Sequence, residues 1–346
     1  MTNTTLIVHH TFSALAILIN LTRLLTRHFI FHSLELPDLW VLLAILCAAT
    51  RDALIHVVLT WGTNNISPSA RSHIDFTSGE IYRRTIGSKF AIANRPVYNT
   101  YLWLLKLVLL DFFCRHFHPT KRAKKLIWWT YGTTFFATWL AALVVGFTEC
   151  DPFPLYWQVL PAPGKCVEAQ TQLIVLGVLN IFTDLMLLLL PLPTLLSLQT
   201  PWKRKLRLLM ICTLGIFIVA ITVIRLPINA LNATVQSNRT VWASTELLTA
   251  GIVANAPTLY GAVRKWRLRD GVEGVVGGRG VGLVTFGSAG EEGMVREEAE
   301  RRKGRTGDED LMLRTEDRLW RDGEGEGGDG KSQGESRGSE WRFSSA

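Results

Sequence analysis

The sequence predicts an all-α fold: a bundle of seven transmembrane helices followed by a disordered cytoplasmic tail. Three observations predict it. Apolar residues make up 48% of the 346-residue chain. They are bunched into blocks of roughly 18–25 residues, long enough as helices to cross a hydrocarbon core of about 30 Å. Lysines and arginines gather in alternate gaps between these blocks, the asymmetry expected of cytoplasmic loops. Past residue 269 the composition turns to Gly, Glu, Asp, Arg and Ser, which cannot bury a core. The chain therefore divides into a helical membrane domain, 1–268, and a tail, 269–346. The net charge of +8 calls for no nucleic acid, because basic inner loops supply it.

The first block, 6–25, is long and lacks a basic lead-in, so it reads as a span and not as a cleaved signal peptide. The others are 39–61, 97–117, 126–147, 172–196, 208–226 and 241–263. Pro191 and Pro193 should break the last turn of the fifth. Four gaps carry basic residues close to a span end: Arg27; Lys121, Arg122, Lys124 and Lys125; Lys203, Arg204, Lys205 and Arg207; and Arg264, Lys265, Arg267 and Arg269. In a seven-span chain these lie on one side. The positive-inside rule then puts the N-terminus outside and the tail in the cytosol, as in a multi-pass plasma-membrane protein. The gap 62–96 breaks the pattern, since it carries Arg71, Arg83, Arg84, Lys89 and Arg95 on the outer side. It is expected to fold as a surface loop.

The outer gaps carry N-x-S/T sites at Asn3, Asn65, Asn232 and Asn238, which are glycosylation candidates. Asn20 fits the same pattern but lies within a span and should be silent. Cys150 and Cys166 share the outer gap between spans four and five, where an oxidising exterior favours a disulfide over two free thiols. Cys47, Cys114 and Cys212 fall within spans and read as packing residues.

Charges inside the spans carry the most information, because each costs roughly 2.5–3.5 kcal/mol at the bilayer centre and must face a partner. They are Arg51, Asp52, Lys106, Asp111, Asp184, Arg225 and Glu246. Depth, counted along each helix, groups Asp52, Lys106 and Asp184 near the middle and pairs Arg225 with Glu246 near the outer end. The competing reading of both groups is a set of salt bridges that only fix packing.

The stretch "NIFTDLMLLLLPLPTLLSLQTPWKRKLRLLMICTLGIFIVAITVIRLP" resembles the signature of the fungal rhodopsin-domain family, seven-helix membrane proteins that include Pth-type receptor candidates of plant-pathogenic fungi. Asn180, Asp184, Pro191, Pro193, Leu198, Gln199, Leu214, Gly215, Arg225 and Leu226 match its pattern in order. "YLWLLKLVLLDFFCRHF" and "WASTELLTAGIVANAPTL" resemble its third and seventh spans. Leu39 and Val108 depart from it, standing where an Asp and a Ser are usual. The resemblance covers about residues 6–268. It implies a seven-helix, receptor-like protein and no particular chemistry.

Four functions compete. A G-protein-coupled-receptor-like sensor fits the basic inner loops. Asp111 and Arg115 loosely resemble an acid–arginine switch, and Asn255, Pro257 and Tyr260 an N-P-x-x-Y element. Its partners would be the bilayer, a heterotrimeric G protein on the cytosolic face and an extracellular ligand the sequence does not identify. A retinal protein needs a lysine in the last span, and 241–263 has none, so no retinal or other cofactor is expected. A zinc hydrolase needs converging histidines, and only His56 reads as deep, so no enzyme and no metal are expected. A transporter of small molecules or ions using the buried charges is the alternative to the sensor.

Overall fold

The computed structural model describes residues 2–32, 34–117, 121–192, 202–231 and 235–277. Asn232, Pro193, Leu198, Gln199 and the tail from 278 onward lie outside them. Met1–Gly274 forms one compact unit, to which the fold and site belong. Its α-helices among the described residues are α1 (Thr2–Thr26), α2 (Leu36–Trp61), α3 (Pro68–Arg71), α4 (Ser78–Phe117), α5 (Lys121–Thr148), α6 (Gln170–Leu189), α7 (Trp202–Leu231) and α8 (Gln236–Gly277). No strand occurs among the described residues.

The predicted apolar blocks fall on the long helices α1, α2 and α4–α8, except that α6 stops at Leu189, just ahead of Pro191. Among the described residues, five stretches are long and apolar enough to cross a membrane: Asn3–Ile30, Leu36–Trp61, Ser78–Arg115, Lys121–Thr148 and Lys165–Leu189. Gly215–Leu231, within α7, is a shorter apolar stretch. The fold is thus all-α and crosses the membrane several times.

Burial is inverted relative to a water-soluble bundle. Leu18, Leu46, Trp129, Phe136, Leu189 and Phe217 face outward, while His9, Arg51, Lys106, Asn180, Arg225, Glu246 and Asn255 are buried. Water would select the reverse; hydrocarbon selects this, because polar groups there must find partners inside the protein. Close backbone packing joins α1 to α2, α2 to α4, α4 to α5, α5 to α6 and α6 to α7. α8 packs Leu247 and Ala254 into the apolar core and is also tied by polar groups: Arg23 Nη1 donates to Ala254 O at 3.1 Å, Tyr101 Oη to Leu247 O at 3.0 Å, and Asn255 Nδ2 to Asn20 Oδ1 at 2.9 Å.

The gap 62–96 is corrected by the structure. It holds the short helix α3, and from Ser78 onward it forms the opening turns of α4. Pro96, which reads as a loop end, lies inside that 40-residue helix. Prolines are tolerated within membrane helices when neighbours satisfy the freed carbonyl. The basic residues that break the positive-inside pattern therefore ride largely on a helix, and several turn inward.

The chain passes from α2 towards α4 through Gly62, at φ 76°, a conformation that favours glycine. There α4 comes so close that a Cβ on Gly87 would lie 1.9 Å from the Gly62 carbonyl oxygen. Gly87→Ala should therefore lower stability by about 1–3 kcal/mol, the range for overpacking. Gly79→Ala, whose Cβ meets open space, should not. Equal thermal midpoints for the two variants in detergent would show that the crossing tolerates a methyl group.

Candidate functional site

Glu246 on α8 is fully buried and is the hub of a polar network. Arg225 of α7 forms an ion pair with its Oε2, and the Tyr98 hydroxyl of α4 donates to the same oxygen. Arg225 Nη1 also donates to Tyr98 Oη at 2.6 Å. The other carboxylate oxygen accepts from Asn180 Nδ2 of α6 at 2.8 Å and from Thr222 Oγ1 of α7 at 3.2 Å. Four helices meet on this one carboxylate, with both oxygens satisfied. That is the condition under which a buried charge is tolerable.

Lys106 of α4 and Asp184 of α6 form a second buried ion pair. The ammonium also donates to Asn180 O at 3.1 Å and lies 5.7 Å from the centre of the Trp103 ring. Asp184 Oδ2 is buried without a hydrogen-bond partner among the described residues. Depth counting treats this pair and Arg225–Glu246 as separate groups. The structure joins them through Asn180, whose side chain reaches Glu246 and whose carbonyl takes Lys106.

Asp52 does not belong to the Lys106–Asp184 set, which corrects the grouping drawn from depth. It faces α1, where His10 Nδ1 lies 3.0 Å from Asp52 Oδ1 and His9 Nε2 lies 3.4 Å from it. His10 Nε2 in turn meets His56 Nδ1 at 3.1 Å. Arg51, one residue earlier, is turned about 100° around the helix and points into the bundle, donating to Ser244 Oγ of α8 at 3.2 Å. The sequence reading counts His56 as the one deep histidine and so misses His9 and His10. The signal was the adjacent His-His pair in the first apolar block. His9, His10 and Asp52 offer donor atoms within 4.8 Å of one another, a set able to hold a metal ion.

Above the hub lies a cavity of about 130 Å³. Its polar lining includes Arg51, Arg95, Arg225 and Arg239, with Asn94, Asn229 and Thr240, while no Asp or Glu among the described residues lines it. Tyr156, Val167 and Ala169 also line it, so the segment between α5 and α6 covers this end of the bundle. Cys150 and Cys166 are joined there as a disulfide. The segment is pinned by the Tyr156 hydroxyl, which accepts the Glu149 and Cys150 amide hydrogens at 2.9 and 3.2 Å. Asn64 Nδ2 lies within 3.0 Å of the Tyr156 and Gln158 carbonyls. Cys47, Cys114 and Cys212 are free thiols, and the last two are buried.

Of the glycosylation candidates, Asn3 is exposed and Asn65 lines the cavity. Asn238, in the first turn of α8, is partly exposed, with its Nδ2 enclosed. At the opposite end of the bundle, Arg115 pairs with Asp111 at 2.6 Å and with Glu35. Arg27 also reaches Glu35, at 2.8 Å. Asn255 bonds to Asn20, and Tyr260 is about half exposed.

Comparison with known proteins agrees with this architecture. A "SAT4 family membrane protein" of Emericella nidulans is 25% identical over 183 residues, covering 50% of this chain and 46% of that protein. The "Fugralins biosynthesis cluster protein 2" of Gibberella zeae is 27% identical over 135 residues, covering 38% of this chain and 34% of that protein. The alignments thus span less than half of each of these curated relatives. No solved structure matches. The fungal rhodopsin domain matches residues 22–265, a stretch that holds Lys106, Asp184, Arg225 and Glu246 together. The chain belongs to the fungal rhodopsin domain family.

Proposed function

We propose that the protein is a seven-span, receptor-like sensor that binds a small molecule from outside the cell in the arginine-lined cavity. The observation that carries this reading is the floor of the cavity: Arg225 and Tyr98 line it and also hold Glu246, on which α4, α6, α7 and α8 converge. A ligand shifts a conformational equilibrium only through different contacts with the two states. A molecule that draws Arg225 away from Glu246 changes a contact shared by four helices. At the other end, Arg115 with Asp111 and Glu35 ties α4 to the turn before α2, a second place where helices can part.

In the orientation this reading adopts, the disulfide segment, Asn3 and the cavity face outward. The basic gaps and the tail face the cytosol, where a heterotrimeric G protein is the expected partner. Purification of the full chain from fungal membranes tests it: a Gα subunit should accompany the protein and leave on addition of a GTP analogue. The second reading, a transporter, is favoured by Asp184 Oδ2, which has no partner among the described residues, beside Lys106 in the bundle. Substrate flux into proteoliposomes with no associated Gα would replace the sensor by that reading.

A further inference from the structure

The cavity holds more positive charge than the described residues neutralise. Arg225 is matched by Glu246. Arg51, Arg95 and Arg239 have no carboxylate within salt-bridge distance among the described residues. Arg51 donates to Ser244, Arg95 to the Gly146 carbonyl at 2.8 Å, and Arg239 to the Glu168 carbonyl at 2.6 Å. The Glu149 carboxylate, at the same end of the bundle, is engaged by the amide hydrogens of Thr171 and Gln172 at 2.9 and 3.2 Å. Arg51 and Arg225 are buried to within 2% of completely. Among the described residues, Arg51 Nε and both Nε and Nη2 of Arg225 have no hydrogen-bond partner.

Unpaired buried guanidinium groups are costly, and they cannot escape by losing a proton. Among the described residues Thr240 Oγ1 is unpartnered too, and its hydroxyl can donate, while the side-chain oxygens of Asn94 and Asn229 are unpartnered acceptors. The free guanidinium N–H groups and the Thr240 hydroxyl are donors awaiting an acceptor. Guanidinium forks suit planar oxyanions, which they hold through paired, charge-assisted bonds. The volume is that of about four water molecules, and Ile55, Ile92, Leu173 and Leu176 give the remaining wall a hydrocarbon surface.

We infer that the cavity binds a small organic carboxylate, its charge held by Arg51, Arg95, Arg225 and Arg239 and its carbon portion against the aliphatic wall. This rests on the proposal that the cavity is the ligand site, and it names the ligand's chemical class. The anion competes with Glu246 for Arg225, which links occupancy to the four-helix contact.

The test is thermal unfolding of the purified full chain in detergent, titrated at constant ionic strength with acetate, succinate and inorganic phosphate, and with succinamide as the uncharged match. A carboxylate should raise the midpoint in a saturable way while succinamide leaves it unchanged. Arg239→Gln should weaken that effect by about tenfold, as expected for a lost charged hydrogen bond. The same change should raise the midpoint without ligand, since it removes an unmatched charge. Arg83→Gln, on the exposed side of α4, should alter neither. Arg95→Gln repeats the measurement should Arg239→Gln fail to fold.

An equal shift with succinamide, no shift with either carboxylate, or undiminished binding in the arginine variants would each overturn the inference. A shift with phosphate alone overturns the organic class. This titration reads occupancy and the Gα experiment reads coupling. Carboxylate binding without Gα leaves the anion site standing and ends the sensor reading, whereas Gα coupling without carboxylate binding does the reverse.

Discussion

Asp184→Asn alone and Lys106→Met alone each lower the yield of folded protein, and the double variant recovers much of the loss. The expectation follows from an asymmetry. Removing one member of a buried ion pair strands the other charge, at a cost of about 3–5 kcal/mol, while replacing both with uncharged groups is often close to neutral. The side chains of Lys106 and Asp184 are 6% and 13% exposed, so water reaches neither well enough to take the partner's place. The Asn180 carbonyl, which Lys106 would vacate, still accepts the Thr183 hydroxyl at 2.9 Å. The double variant therefore leaves no acceptor stranded there. In a double-mutant cycle the coupling should exceed about 0.5 kcal/mol, the level that separates touching residues from independent ones. Strictly additive losses would mean that the two side chains do not meet in the membrane. A transporter relying on this pair should lose flux in the double variant even though folding returns, so the same proteins also separate the two functional readings.

The sequence made the helices legible but not their facing. Blocks of apolar residues mark where hydrocarbon must be, and α1, α2 and α4–α8 sit on them. Depth counting works for Lys106 with Asp184 and for Arg225 with Glu246, whose ion pairs form. It fails for Asp52, because depth fixes height along a helix and says nothing of which neighbour a side chain faces. Arg51 and Asp52 show this best: adjacent in sequence, one reaches Ser244 of α8 and the other His10 of α1. The first turns of α4 were illegible for another reason. Residues 78–96 are polar and end at a proline, so a hydropathy reading hears a loop. Yet Arg95 and Tyr98 from that helix line the cavity, and Ser88 caps the Asn64 amide at 2.8 Å. The cavity was hidden because its arginines come from α2, α4, α7 and α8, four elements that no local pattern connects.

Glu246→Gln should be the most damaging single change in the bundle after those that strand Lys106 or Asp184, and it should act on α8 before the rest. The carboxylate is the negative charge set against Arg225, so its loss adds a fourth unmatched guanidinium to Arg51, Arg95 and Arg239. A glutamine also presents an amide N–H where two oxygens now accept from Tyr98, Arg225, Asn180 and Thr222. At least one of those donors is left unsatisfied in a buried place. The combined loss should be about 3–5 kcal/mol, the range for breaking a buried pair. Because Glu246 sits on α8 and takes its partners from α4, α6 and α7, hydrogen exchange should rise first in the α8 amides around Ser244–Ala254, ahead of α2 and α4. Arg225→Gln is the informative contrast. It leaves Glu246 without its cation but with Tyr98, Asn180 and Thr222 still donating, and it removes one positive charge from the cavity. Its loss should therefore be the smaller of the two. If Arg225→Gln proves as harmful as Glu246→Gln, excess positive charge does not govern the stability of this end of the bundle, and the case for an anion in the cavity weakens with it.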